Sequence, residues 1–227
     1  EIDFLIEDLE TSSKASNTLK KQEGSYTDLY FNYSINQDLR DKRFRTESGY
    51  QTFFTQEIPI ISDSSEFANA FEISKFKKLS TRSDTVGKIS FYAKTITGLS
   101  DDVRISKRLN VPSSKLRGFE KSKVGPVDNK DFVGGNHVTA LNFSATLPNI
   151  VEGLDNLDVG VFLDAANIWG IDYDSTLDDK STIRTSTGVA FNLLTPIGPL
   201  SFSFANPLTK ASSDKTETFR FRLGTQF

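Results

Sequence analysis

The chain predicts an all-β fold, an antiparallel transmembrane β-barrel, on three observations. About ten segments alternate apolar and polar residues with period two, the pattern of strands whose two faces meet different surroundings. Most of them run about 9 to 13 residues, against the roughly 9–11 that a tilted strand needs to cross a bilayer and about 5–6 for a soluble strand. The third is the ending, Thr216-Glu217-Thr218-Phe219-Arg220-Phe221-Arg222-Leu223-Gly224-Thr225-Gln226-Phe227, with Phe219, Phe221, Leu223 and Phe227 on one face and Arg220, Arg222 and Gly224 on the other. A closing barrel strand faces lipid on one side and carries an interfacial aromatic at its end.

The strands are expected at 2–10, 26–36, 48–58, 67–79 and 86–99, then at 136–147, 157–169, 182–194, 199–208 and 217–227. In the first half, Leu29, Phe31, Tyr33 and Ile35 share a face, as do Tyr50, Thr52, Phe54 and Ile58, then Phe67, Phe71 and Ile73, then Ile89, Phe91 and Ala93. In the second half the sets are Leu141, Phe143 and Leu147; Leu157, Val159, Val161 and Leu163; Ile183, Val189, Phe191 and Leu193; and Leu200, Phe202 and Phe204. Opposite them stand Asn32 and Ser34, Lys88 and Ser90, Asn142 and Ser144, Asp158 and Asp164, Arg184 and Asn192. A charged face of this kind suits a wet barrel interior better than a sandwich core. Short connections such as Ser80–Thr85 and the Thr-Pro-Ile-Gly-Pro turn at 195–199 alternate with the longer polar stretches 11–25, 170–181 and 209–216, as turns and loops do on the two sides of an outer-membrane barrel.

Composition excludes several classes. No apolar run approaches the roughly 20 residues of a spanning helix, and the mean hydropathy of −0.36 is too polar for a helical membrane protein. A net charge of −3 gives no nucleic-acid footprint. The absence of cysteine removes disulfides and Cys-ligated metals. His137 is the only histidine and stands beside Gly-Gly-Asn with no nucleophile signature, so no catalytic constellation emerges and no cofactor is expected. The Asp172, Asp174, Asp178 and Asp179 cluster lacks the spacing of a calcium loop and reads as a solvated external loop, so no metal site is expected. The opening at Glu1 in mid-pattern suggests a piece of a longer chain.

One connection is anomalous. Residues 100–135, about 36 in all, carry Lys107, Arg108, Lys115, Arg117, Lys121, Lys123 and Lys130, whereas loops beyond about 12–15 residues usually have a role. Glycines hinge the segment around Arg117 and Phe119.

These residues resemble the Omp85 superfamily, and its outer-membrane assembly factors most. The matching elements are Arg117-Gly118-Phe119, Gly125-Pro126, Gly134-Gly135-Asn136, Phe162-Leu163-Asp164, Ile183-Arg184-Thr185-Ser186, Pro196-Ile197-Gly198-Pro199-Leu200, Pro207-Leu208 and the ending 221–227. Upstream, residues 41–49 look like the family's periplasmic turn entering a strand. The resemblance implies that 1–227 is one transmembrane barrel domain, roughly the last ten strands of a sixteen-stranded barrel that periplasmic POTRA domains precede. It implies a non-enzymatic role in inserting other β-barrel proteins into the bacterial outer membrane. Its partners would be the outer-membrane bilayer, nascent β-barrel clients and accessory lipoproteins, with no nucleic acid. It also implies a loop lock of Arg117, Gly118 and Phe119 against Asp164, and a lateral gate and C-terminal signal at Phe219, Phe221, Leu223, Gly224 and Phe227. Many relatives carry a glutamate where this chain has Ser144, which leaves Arg117 with Asp164 alone or with a borrowed carboxylate such as Asp158. Alternatives are another member of the superfamily, TamA-like or a secretion-partner translocator, and a passive porin whose loop only constricts the pore.

Overall fold

Alternation along the sequence becomes a single ten-stranded antiparallel sheet in a computed structural model, which describes residues 1–80, 84–148, 150, 153–154, 156–195 and 198–223, the side chains of Pro148 and Pro199 excepted. The elements are β1 (Ile2–Leu9), α1 (Asn17–Lys20), β2 (Gly24–Asp38), β3 (Gly49–Ser62), β4 (Glu66–Lys78), β5 (Val86–Gly98), β6 (Val127–Asp128), β7 (Asp131–Phe132), β8 (His137–Pro148), β9 (Leu157–Trp169), β10 (Arg184–Thr195), β11 (Gly198–Thr209) and β12 (Phe219–Leu223). The sheet runs β1-β2-β3-β4-β5-β8-β9-β10-β11-β12, each strand beside its sequence neighbour, while β6 and β7 form a separate hairpin inside the long loop. An unbroken meander of this kind is what two-sided alternation with short turns produces.

Register explains why the two faces stay distinct across the sheet. The row Ile73–Phe91–Leu141–Ala165 crosses four strands, and Val161–Val189–Phe204–Phe219 crosses the last four. Because paired residues point to the same side, these rows make one apolar face, on which Phe71, Phe91, Phe143, Leu163, Phe204, Phe219 and Phe221 are all exposed. That exposure is costly in water and favourable in lipid.

The expected boundaries hold closely, with two informative shifts. β3 continues to Ser62 because a bulge sets Leu29 opposite Ile61 and Tyr30 opposite Pro59, leaving Ile60 as the extra residue. Pro59, which has no N–H to give the ladder, is accommodated at this irregularity. Before β12, Thr216 and Glu217 pair with the loop instead of with β11, so the regular strand begins only at Phe219.

The other face is not empty. Val103, Leu109, Val111, Leu116, Phe119 and Val124 of the long loop pack with Ala68, Ile96, Val138, Ala140, Ala166 and Ile168 of β4, β5, β8 and β9 into one buried cluster. The buried core of this molecule therefore lies between the sheet and its own loop. Nearby, Ser16 caps α1 by accepting from the Leu19 amide, and Leu19 joins Ala15, Val133, Ile105, Ile171 and Tyr173 in a second cluster that ties three loops together.

Candidate functional site: a loop pinned by arginines

The long loop meets the sheet through cations, and Arg117 is the central one. Its Nε donates to Asp164 Oδ2 at 2.7 Å and its Nη2 to Oδ1 at 2.7 Å, a bidentate fork. The Arg117 amide adds a bond to Oδ2 at 3.1 Å, and Asn142 Nδ2 one to Oδ1 at 2.8 Å. Asp164 is wholly buried and carries four donors, so its charge is compensated inside the fold. The guanidinium also stacks 3.4 Å from the centroid of the Phe162 ring. β9 supplies both partners because residues 162 and 164 share a face.

Gly118 and Phe119 complete the element. Gly118 has φ +88, a conformation that favours glycine, and a Cβ there would crowd the Ala205 Cβ at 3.1 Å. Ser186 Oγ donates to the Arg117 carbonyl at 2.5 Å. Phe119 is buried at 2 % exposure and bridges to Thr216. Around that bridge the Glu217 amide donates to Gly118 O at 3.1 Å, the Glu120 amide to Lys215 O at 3.0 Å and the Lys215 amide to Lys123 O at 3.0 Å. The loop thus adds a short strand to the segment that leads into β12. Arg220 of β12 reinforces it, donating to Ser113 O at 2.7 Å and to Phe119 O, and pairing with Glu217.

Of the expected residues, Arg117, Gly118, Phe119 and Asp164 come together, and Phe219, Phe221 and Leu223 lie on the exposed apolar face of β12. Gly224 and Phe227 lie outside the described residues. Asp158 is not a second partner for Arg117: Arg45, from the turn before β3, holds it with Nη2 to Oδ1 at 2.8 Å and Nε to Oδ2 at 3.2 Å. Beside Asp164 stands the amide of Asn142, so among the described residues a neutral donor, not a second carboxylate, completes the arrangement around Arg117.

Three further arginine anchors escape a reading of the sequence. Arg104, 2 % exposed, pairs with the buried Asp28 through Nη2 and lies 4.2 Å over the Tyr26 ring, while its amide donates to Glu66. Arg108 pairs with Asp172 and donates to Asn136 Oδ1 at 3.1 Å. Arg184 forks onto Asp214 at 2.9 and 3.2 Å. Tyr30, whose hydroxyl donates to Glu66 at 2.9 Å, closes the first of these anchors. The signal in the sequence was the density of cations in the loop, which holds Arg104 and Arg108 but not Arg184 of β10, and the carboxylates they meet, Asp28, Asp172 and Asp214, are far from them in sequence.

Asp172 corrects an expectation. It is not a freely solvated loop acid: it accepts from the Val103 amide at 3.0 Å and Asn136 Nδ2 at 2.7 Å, besides Arg108. Burial raises its pKa, but these bonds and the Arg108 charge outweigh that, so it lies below its ordinary value of 3.8. A depressed carboxylate stabilises the fold above that ordinary value and loses the contribution as pH falls through the lower folded one. In the full-length protein, a spin label at Lys121→Cys in the loop is expected to keep its mobility from about pH 8 to 5 and to loosen only below about pH 4. Asp172→Asn is expected to loosen it at neutral pH and to flatten the acid response.

An antiparallel sheet with an apolar outer face and an inner face plugged by its own loop defines a transmembrane β-barrel wall. The model of the Omp85 superfamily domain matches residues 5–227, and the chain belongs to that superfamily, a family of outer-membrane proteins. It is 32% identical over 141 residues, 49% of this chain and 17% of the other, to the outer membrane protein assembly factor BamA of Neisseria meningitidis serogroup B. It is 23% identical over 218 residues, 94% of this chain and 29% of the other, to the BamA of Neorickettsia risticii. In structure it matches BamA from Haemophilus ducreyi lacking POTRA domains 1–3, with a TM-score of 0.78 at 21% identity, over 92% of this chain and 46% of that one. The chain thus spans less than a third of the length of these two curated relatives.

Proposed function

We propose that residues 1–227 form the C-terminal part of the barrel of a BamA-type assembly factor, which inserts and folds other β-barrel proteins in the outer membrane without enzymatic chemistry. The short turns then face the periplasm and the long loop enters the lumen from outside. The observation that carries this reading is the bidentate Arg117–Asp164 pair, together with the added strand that joins the same loop to the segment entering β12. A passive pore needs a loop that narrows it; an assembly factor needs one that communicates with the edge where a client strand pairs. β12 is the edge of the sheet, and an unpaired edge in lipid leaves backbone groups that cost several kcal/mol each, which favours capture of an incoming strand. Phe219, Phe221, Leu223, Gly224 and Phe227 would form that gate, and accessory lipoproteins and clients would be its partners.

The test is growth of a strain depleted of its own copy and supplied with the full-length protein. Arg117→Ala is expected to abolish or severely slow growth, because it orphans the buried Asp164, whereas Lys121→Ala, at an exposed position of the same loop, leaves growth unchanged. Equal growth of the two, with both barrels present in the membrane, would refute the loop's part in assembly.

A further inference from the structure

The apolar face carries one notch that the loop and the β12 edge do not explain. It lies at the short-turn end of β4, β5, β8 and β9 and has a volume of about 550 Å³. Its origin is a dip in side-chain size along one ladder row. Lys77, Gly87, Ala145 and Val161 pair in sequence across the four strands, and in the adjacent row on the same face stand Lys75, Ile89, Phe143 and Leu163. Glycine and alanine make the floor, the larger row makes one wall, and Leu79 lies against Gly87 as the other, its Cδ1 2.9 Å from where a Cβ would be.

Two lysines border this apolar notch. Lys75 and Lys77 are both exposed on the lipid-facing side, two residues apart and so about 7 Å from each other along the strand. Neither makes an ion pair or hydrogen bond among the described residues, in contrast to Lys78 on the opposite face, which pairs with Asp84 at 2.7 Å. No acidic side chain occurs in either row. A cation on a lipid-facing strand is tolerated near the membrane interface, where its stem runs along apolar surface and its head reaches polar groups. Here two such heads flank a cleft shaped for hydrocarbon, and among the described residues no carboxylate pairs with either.

We propose that this notch binds one anionic phospholipid of the periplasmic leaflet, its phosphate between Lys75 and Lys77 and an acyl chain over Gly87 and Ala145. The choice of leaflet rests on the orientation proposed above, with the Ser80–Thr85 turn periplasmic. The occupant is a phospholipid because charge and groove coincide: a soluble phosphate would leave the cleft empty, and a neutral lipid would leave the lysines unmatched.

The experiment uses the full-length protein in mixed-lipid nanodiscs and measures by native mass spectrometry how much phosphatidylglycerol remains bound relative to phosphatidylcholine. Phosphatidylglycerol is expected to be retained roughly fivefold better or more. Lys75→Gln with Lys77→Gln should bring the ratio near one, Lys75→Arg with Lys77→Arg should preserve it, and Ala145→Phe should lower it by filling the floor with both charges intact. All variants lie on the outer face, and heat-modifiable migration in gels verifies that each barrel is folded. No preference in the wild type, or one that survives the double glutamine variant, overturns the site. Loss with glutamine but not with Ala145→Phe reduces it to a diffuse interfacial charge and also overturns it. Preferential retention of lipid A over phosphatidylglycerol would place the occupant in the opposite leaflet and contradict the proposal. The readout is lipid retention, so it stands apart from whether the protein assembles clients.

Discussion

Asp164→Ala in the full-length protein is expected to release the long loop from the sheet and to cost about 3–5 kcal/mol, the range for removing one partner of a buried ion pair. The magnitude follows from what is left behind. Arg117 would keep the contact of its guanidinium with the Phe162 ring and the bond from Ser186 to its backbone carbonyl, yet lose the only carboxylate that neutralises it among the described residues. Asn142 would lose an acceptor at the same moment. Trypsin at pH 8 reads the outcome, since Lys121 and Lys130 are exposed loop sites that a docked loop protects by rigidity. Cleavage in the 99–136 segment should rise by at least about tenfold while the strands stay intact. Asp158→Ala is the comparison: its partner Arg45 is 30% exposed, so the pair is worth about 1 kcal/mol or less and loop cleavage should not change. Exchanging the charges, Arg117→Asp with Asp164→Arg, is expected to restore part of the protection. If Asp164→Ala and Asp158→Ala are cleaved alike, the Arg117 contact does not anchor the loop.

The sheet was legible because its information is local. A period of two, read over a dozen residues, places Leu163 outward and Asp164 inward whatever the rest of the chain does, and the register of Phe143 against Leu163 follows once the turn is short. The bulge at Ile60 was not legible, since Ile58, Pro59, Ile60 and Ile61 form an apolar run with no alternation to break. The anchors divide in the same way. Arg117 and Asp164 could be paired only through resemblance to a family, because 47 residues separate them and no spacing rule connects a loop cation to a strand carboxylate. Arg104 with Asp28, across 76 residues, had no such help. Asp172 misled for a related reason: its aspartate-rich neighbourhood is that of an exposed loop, and only the fold carries the Val103 amide and Arg108 to it. Polar residues on loops take their roles from partners far away in sequence, and alternation says nothing about those.

Arg220→Gln is expected to uncouple the loop from the closing strand while leaving the Arg117 contact in place. The Arg220 guanidinium of β12 reaches the loop through the carbonyls of Ser113 and Phe119. Each is a charge-assisted bond worth about 1.5–3 kcal/mol, and glutamine, shorter and neutral, cannot serve both. The backbone pairing of the added strand beside it then rests on the amides of Glu120, Lys215 and Glu217. Those three amides report directly, and hydrogen exchange should accelerate at them by about 10- to 100-fold, whereas β8 and β9 amides around Phe143 and Leu163 keep their protection. Arg220→Lys should fall between, because one ammonium can replace one of the two directed bonds but not their fork. On the assembly role proposed above, the same variant should slow client insertion in proteoliposomes, since the edge strand would lose its bonds to the loop. Faster exchange at the three amides with unchanged insertion would leave the contact structural and remove it from the mechanism, and unchanged exchange would mean that the Phe119–Thr216 bridge, with Phe119 buried behind it, holds the loop to β12 without Arg220.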